Sequence, residues 1–192
     1  MHLNMMDPRI IVSAVVIVLI LVVVVALYVQ KRRKTTAGLR TRFGTEYDRA
    51  VLAHGSERKA EVKLAERETR VEGLKLRDLG ATERERFLAE WQSVQGRFVD
   101  HPKSAVTEAD ELVSSLMQAR GYPVSDFDQR AADLSVNHPR LVESYRLAQG
   151  VVVRHGRDEA STEELRTAMI HYRTLFDELI QAKAQGEVKA VA

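Results

Sequence analysis

The 192-residue chain contains no cysteine. Disulfides, thiolate nucleophiles and cysteine-ligated zinc are excluded at once. The compartment stays open, because a helical bundle needs no covalent staples on either side of a membrane. Strand signals are nearly absent too: neither apolar–polar alternation nor hairpin turn pairs occur at the required spacing. A large excess of one charge is also missing. Net charge is +2, with 29% charged and 45% hydrophobic residues, so low hydrophobicity with high charge does not argue for disorder. Residues 81–184 hold 13 Lys and Arg against 17 Asp and Glu, a balance of −4. Duplex binding draws most of its affinity from phosphate neutralisation by a basic face, so nucleic acid is not an expected partner.

Motifs for chemistry are equally scarce. The chain has 6 histidines, and none forms a His-x-x-x-His or Glu-x-x-His pair on a helix face. No phosphate-binding glycine loop or serine nucleophile elbow occurs. Carboxylate pairs such as Asp126 with Asp128 and Glu163 with Glu164 stand where helix starts are expected, and the helix dipole favours acids there. No catalytic residue, metal site or cofactor is therefore assigned.

What the chain does have is a greasy run. Ile10 to Val29 carries no charge, and all but Ser13, Ala14, Ala26 and Tyr28 are Ile, Val or Leu. As a helix it reaches roughly 30 Å, the thickness of a bilayer's hydrocarbon core. Insertion is favoured by about 5 kcal/mol or more, at roughly 0.3 kcal/mol per strongly apolar residue. A buried core helix would show a polar face, and none exists. A cleaved signal peptide would have a shorter apolar region and small residues at its end, whereas this run closes in Tyr28-Val29-Gln30-Lys31. The run contains no glycine-type small-xxx-small pair, so dimerisation through it is not indicated.

Lys31, Arg32, Arg33 and Lys34 follow at once, with Arg40 and Arg42 beyond; Arg9 stands alone upstream. The positive-inside tendency then puts the N-terminus outside and the C-terminal domain in the cytoplasm. The lipid bilayer is the expected partner, and anionic headgroups would attract the four cations. The reading divides the chain into a head at 1–9, a transmembrane helix at 10–29, a basic juxtamembrane segment and charged helical stalk at 30–80, a helical bundle at 81–184 and a flexible tail at 185–192. Thr35-Thr36-Ala37-Gly38 reads as a short link. A helix over 39–53 has Gly44 as its weak point, and 57–74, rich in Glu, Lys and Arg, reads as a helical stalk or a helix packed loosely on the preceding one.

Four stronger helices follow, with the stripes Phe87-Trp91-Val94-Phe98, Ala105-Ala109-Leu112-Leu116, Leu141-Tyr145-Ala148-Val152 and Leu165-Met169-Tyr172-Phe176-Leu179. Thr82 to Glu85 and Ser161 to Glu164 are capping boxes, in which side chains satisfy free N–H groups at a helix start. Pro102 and Pro139 open helices, and Gly121-Tyr122-Pro123 closes one. The fold class is all-α: one N-terminal transmembrane helix followed by a soluble antiparallel bundle.

The connector Gly121 to Pro139 holds more aromatic and charged residues than a turn needs. Tyr122, Asp126, Arg130, Asp133 and His138 form the candidate interaction surface, because binding gathers on connections with extra content. The leading expectation is a membrane-anchored module that binds an unidentified protein partner. The alternative is a membrane-bound enzyme or ligand sensor using residues 121–139.

Several segments, among them Arg42 to Arg49, Glu90-Trp91, Arg97 to Asp100, Gly121 to Val124, Gln129 to Val136 and His138-Pro139, resemble a set of bacterial proteins. Those have one hydrophobic N-terminal segment and a C-terminal helical domain, with no characterised activity. The resemblance implies a bacterial plasma membrane and carries over no catalytic residue.

Overall fold

A computed structural model describes residues 8–157 and 159–183 of the chain. The head at 1–9, apart from its last two residues, and the tail at 185–192 lie outside the described residues. Among those described there are helices and no strands, as an all-α chain requires. The chain divides into two compact units, Met1–Thr41 and Arg42–Ala192.

Helix α1 runs without interruption over Pro8–Phe43. At about 1.5 Å per residue it is roughly 54 Å long, more than the apolar run alone needs. The link expected at Thr35 to Gly38 is helical instead. Thr35 and Thr41 donate their hydroxyls back to the carbonyls of Lys31 and Ala37, at 3.2 and 2.9 Å, and so need no other partner. A single interior glycine costs a helix only about 1 kcal/mol, too little to break it here. The break comes at Gly44, whose φ of 53° is a conformation that L-residues rarely adopt. Every described apolar side chain of α1 from Val12 to Val29 is exposed. This helix is long and apolar enough to cross a membrane.

The second unit contains α2 (Thr45–His54), α3 (Glu57–Glu72), α4 (Ala81–Arg97), α5 (Pro102–Ala119), α6 (Phe127–Asn137), α7 (Pro139–His155) and α8 (Thr162–Gln181). Helices α4, α5, α7 and α8 form the expected bundle, with α8 packed on both α5 and α7. Its stripes meet in one core, where Trp91 of α4 stacks on Phe176 of α8 with ring centroids 4.7 Å apart. Start signals decide the boundaries. Asp126 and Ser161 accept from the backbone N–H groups of Gln129 and Glu164, and prolines occupy the first positions of α5 and α7. The start of α4 differs from the expected box. Gly80 is the cap, and the Glu83 carboxylate accepts from its N–H at 3.1 Å, so Thr82 lies inside the helix.

Of the two readings of the charged stretch, the fold has the helix packed on the one before it, and on another besides. Helices α2 and α3 pack on each other, α3 packs on α6 and α2 on α7. Tyr47, Ala60, Leu64 and Val71 are buried there. The compact unit thus begins at Arg42, and no division falls between residues 80 and 81.

Between α3 and α4 the chain leaves the helical conformation, and Arg77 N–H donates to the Arg120 carbonyl at 2.9 Å. Gly121, at φ 95°, sits against this strap. A Cβ there would lie 2.4 Å from the Lys75 carbonyl oxygen. Buried Arg120 donates to the Leu179 carbonyl at 2.9 Å and also to that of Ala182, so a cation caps the C-terminus of α8.

Two outcomes are expected. Gly121→Ala should lower unfolding free energy by at least ~2 kcal/mol in urea melts, because strain and clash combine. Gly38→Ala, at a helical site with open space around it, should not destabilise. The second concerns acid. Arg77, and after it the Gly80 N–H, holds the Glu83 carboxyl down at about 2. Its stabilising contribution is present above the unfolded value of about 4.3 and fades as pH falls toward 2. An NMR titration of Arg77→Ala should show Glu83 titrating at higher pH than in the native chain.

Candidate functional site

The connector nominated from sequence does not form one open surface. Tyr122 is buried in the bundle core, and burial raises its hydroxyl pKa; Asn137 is its side-chain partner. Asp133 is 1% exposed. Its Oδ1 accepts from Arg70 Nε and Nη2 at 2.8 and 2.5 Å and from Gln129 Nε2 at 2.8 Å. Its Oδ2 is buried without a hydrogen-bond partner. Arg130 donates to the Tyr145 hydroxyl and to the Ser125 carbonyl, each at 2.9 Å. His138 ends α6 and starts α7, and burial lowers its pKa. Asp126 alone of the five is well exposed, and its carboxylate caps α6. The five residues are mostly joinery: two are buried and each has a structural task.

Asp133 and His138 were nominated from sequence as parts of one surface. The partner of Asp133 is instead Arg70, 63 positions away on α3. A second buried carboxylate was missed altogether. Glu46, on the first turn of α2, is 3% exposed. Arg146 of α7 grips it with two parallel bonds, Nε to Oε1 at 3.0 Å and Nη2 to Oε2 at 3.2 Å. Arg67 of α3 approaches Oε2 at 3.6 Å, and Arg49 approaches Oε1 at 3.4 Å. Burial lowers the Arg67 pKa, with Glu46 opposing that shift. One carboxylate thus joins three helices. A hint was available: Glu46 falls on the same face as Phe43, Tyr47 and Ala50, where a solvated residue would be out of place.

Another polar seam lies among α5, α6, α7 and α8. The Tyr172 hydroxyl donates to Asp110 Oδ1 at 3.0 Å and lies 3.3 Å from Gln149 Oε1. Burial raises the pKa of Asp110 and of both Tyr145 and Tyr172. Tyr172 donates to Asp110, whereas the Tyr145 hydroxyl accepts from Arg130. Among the described residues, no three His, Asp or Glu side chains converge as a metal site would require.

A groove open to a partner lies beside Glu46. It has a volume of about 730 Å³ and runs between α2 and α7, lined by Thr45, Asp48, Leu52, Glu143 and Leu147 among others, with the Glu46–Arg146 pair in its wall. Leu52 is 85% exposed and Leu147 53%. Arg49 adds a cation on the α2 side, opposite Glu143 on α7. Two apolar side chains in a charged rim can accept a leucine-sized side chain from outside. Sequence reading passed over it, because Leu52 lies in a short helix and Leu147 lies off the buried stripe of α7. No family model, curated protein or solved structure matches the chain.

Glu46→Ala should destabilise the chain by about 3–5 kcal/mol, since it strands the Arg146 and Arg67 charges in a desolvated site. Adding Arg146→Met to Glu46→Ala should recover part of that loss in thermal melts. Additive losses from the two changes would show that the pair is not coupled.

Proposed function

We propose that the chain is a membrane-anchored helical interaction module. In this reading α1 crosses a plasma membrane and the unit beginning at Arg42 works on the cytoplasmic side. The observation that carries it is uncovered apolar surface. The described apolar run of α1 is exposed from end to end, and so are the two leucines of the α2–α7 groove. The first surface has no polar face, so hydrocarbon is the environment that suits it. The second is small and edged by charge, which suits a protein partner.

Lys31, Arg32, Arg33 and Lys34 continue α1 directly after the apolar run and are all exposed. At this position they act as the topology signal and meet anionic headgroups, each adding about 1 kcal/mol near the surface. The connector at 121–139 offers less to a ligand, with Tyr122 and Asp133 buried in the fold.

The test is a pair of C-terminal reporters on the full chain, one active only in the cytoplasm and one only outside. Activity of the cytoplasmic reporter alone is expected, with detergent but not salt releasing the protein from membranes. Replacing the four basic residues with glutamine should shift activity toward the outside reporter. An outside reporter active in the native chain, or a product that fractionates with the cytosol, would defeat the proposal.

A further inference from the structure

The groove between α2 and α7 has a charge pattern that names its occupant. Its α2 wall carries Arg49, 60% exposed at its side chain, and its α7 wall carries exposed Glu143. Asp48 stands beside Arg49 on the same helix. A groove for an acidic or a basic peptide would be lined by one sign. This one sets exposed Arg49 across from exposed Glu143 with leucines between them, so a copy turned by a twofold axis can meet each of these two charges with its opposite. Isologous interfaces have this property: residue i meets j of the partner while j meets i.

We infer, on the reading that this groove is a docking surface, that it takes a second copy of the same chain. Leu52 of each protomer enters the groove of the other, beside Leu147. Arg49 of each faces Glu143 of the other. The surface is small beside the roughly 800 Å² per partner of a typical stable interface, so the contact would be weak between free copies. Confinement to one membrane raises the effective concentration and makes a weak contact sufficient.

Because the native chain has no cysteine, one introduced thiol reports on one position. Leu52→Cys places that thiol in the groove, and Val124→Cys places a control thiol at an exposed site outside it. Each full-length variant, in its own membranes, is treated with a short bifunctional thiol reagent. Species of twice the chain mass should form through the groove thiol at least roughly tenfold faster than through the control thiol. In the Leu52→Cys background, Arg49→Glu and Glu143→Arg should each suppress the product, because each sets like charges against one another. Co-expression of those two variants should restore it, since both cross-pairs become opposite in sign. Restoration also shows that each variant folds, and Glu143→Arg leaves the Glu46 contacts untouched. Equal cross-linking through the two thiols, or no restoration on mixing, would overturn the inference. An adduct of the Leu52→Cys chain with some other mass, lost on Leu147→Asp, would overturn self-association while leaving the groove a docking surface. No adduct of any mass through the groove thiol would remove both.

Discussion

Burial of one carboxylate holds the first part of the folded unit to the rest. Glu46 sits where α2, α3 and α7 meet, and guanidinium groups from each of those helices face it. Taking a carboxylate out of water costs several kcal/mol, which only close pairing offsets. The fork of Arg146 meets both oxygens, a geometry that a lysine at this position could not supply. Such a pair adds little net stability over a well-packed apolar pair. It does penalise every other register of α2 on α7, because any slip leaves a charge buried without its partner. The groove is a by-product of that register, since Arg49 and Leu52 follow Glu46 on the same short helix.

The same device recurs on the neighbouring face. Arg70 of α3 pairs with Asp133 of α6, so the α2–α3 hairpin is tied by charge at two places. Arg120 works differently: its partners are carbonyls at the end of α8, not a carboxylate. A buried cation at a helix C-terminus is met by the dipole and by free acceptors, which lets it stay charged without an acidic partner. Three buried charges thus hold three different junctions, while the bundle core proper stays apolar apart from the tyrosine seam.

These differences explain what the sequence made legible. Local signals were readable, because a cap or a proline acts within a turn of its own position. Asp126, Ser161, Pro102, Pro139 and Gly121 all mark ends that the fold uses. The four long stripes were readable for the same reason, since each repeats within one helix. Partners 63 and 100 residues apart leave no such trace, so Asp133 looked like a surface acid and Glu46 like one charge among many. Composition misled over α3 in particular. A helix can be mostly charged and still bury Ala60, Leu64 and Val71, because a narrow stripe suffices when its flanking arginines find acids across the interface. Thr35 to Gly38 misled for the opposite reason: small residues suggested a link, but a helix already nucleated on both sides carries them at small cost.

The two apolar surfaces left uncovered differ in what they ask of their surroundings. The run in α1 is apolar around its whole circumference, so it carries no information about the direction or identity of what covers it. A fluid of hydrocarbon satisfies it as well as any protein would. The leucines of the α2–α7 groove are bounded by fixed charges of both signs. Covering them with lipid would strip water from Asp48, Arg49 and Glu143 with nothing to replace it, a penalty that exceeds the gain from two leucines. Only a surface that returns opposite charges at the right places recovers that loss. Dispersed hydrocarbon cannot do so, whereas a folded protein surface with a matching pattern can.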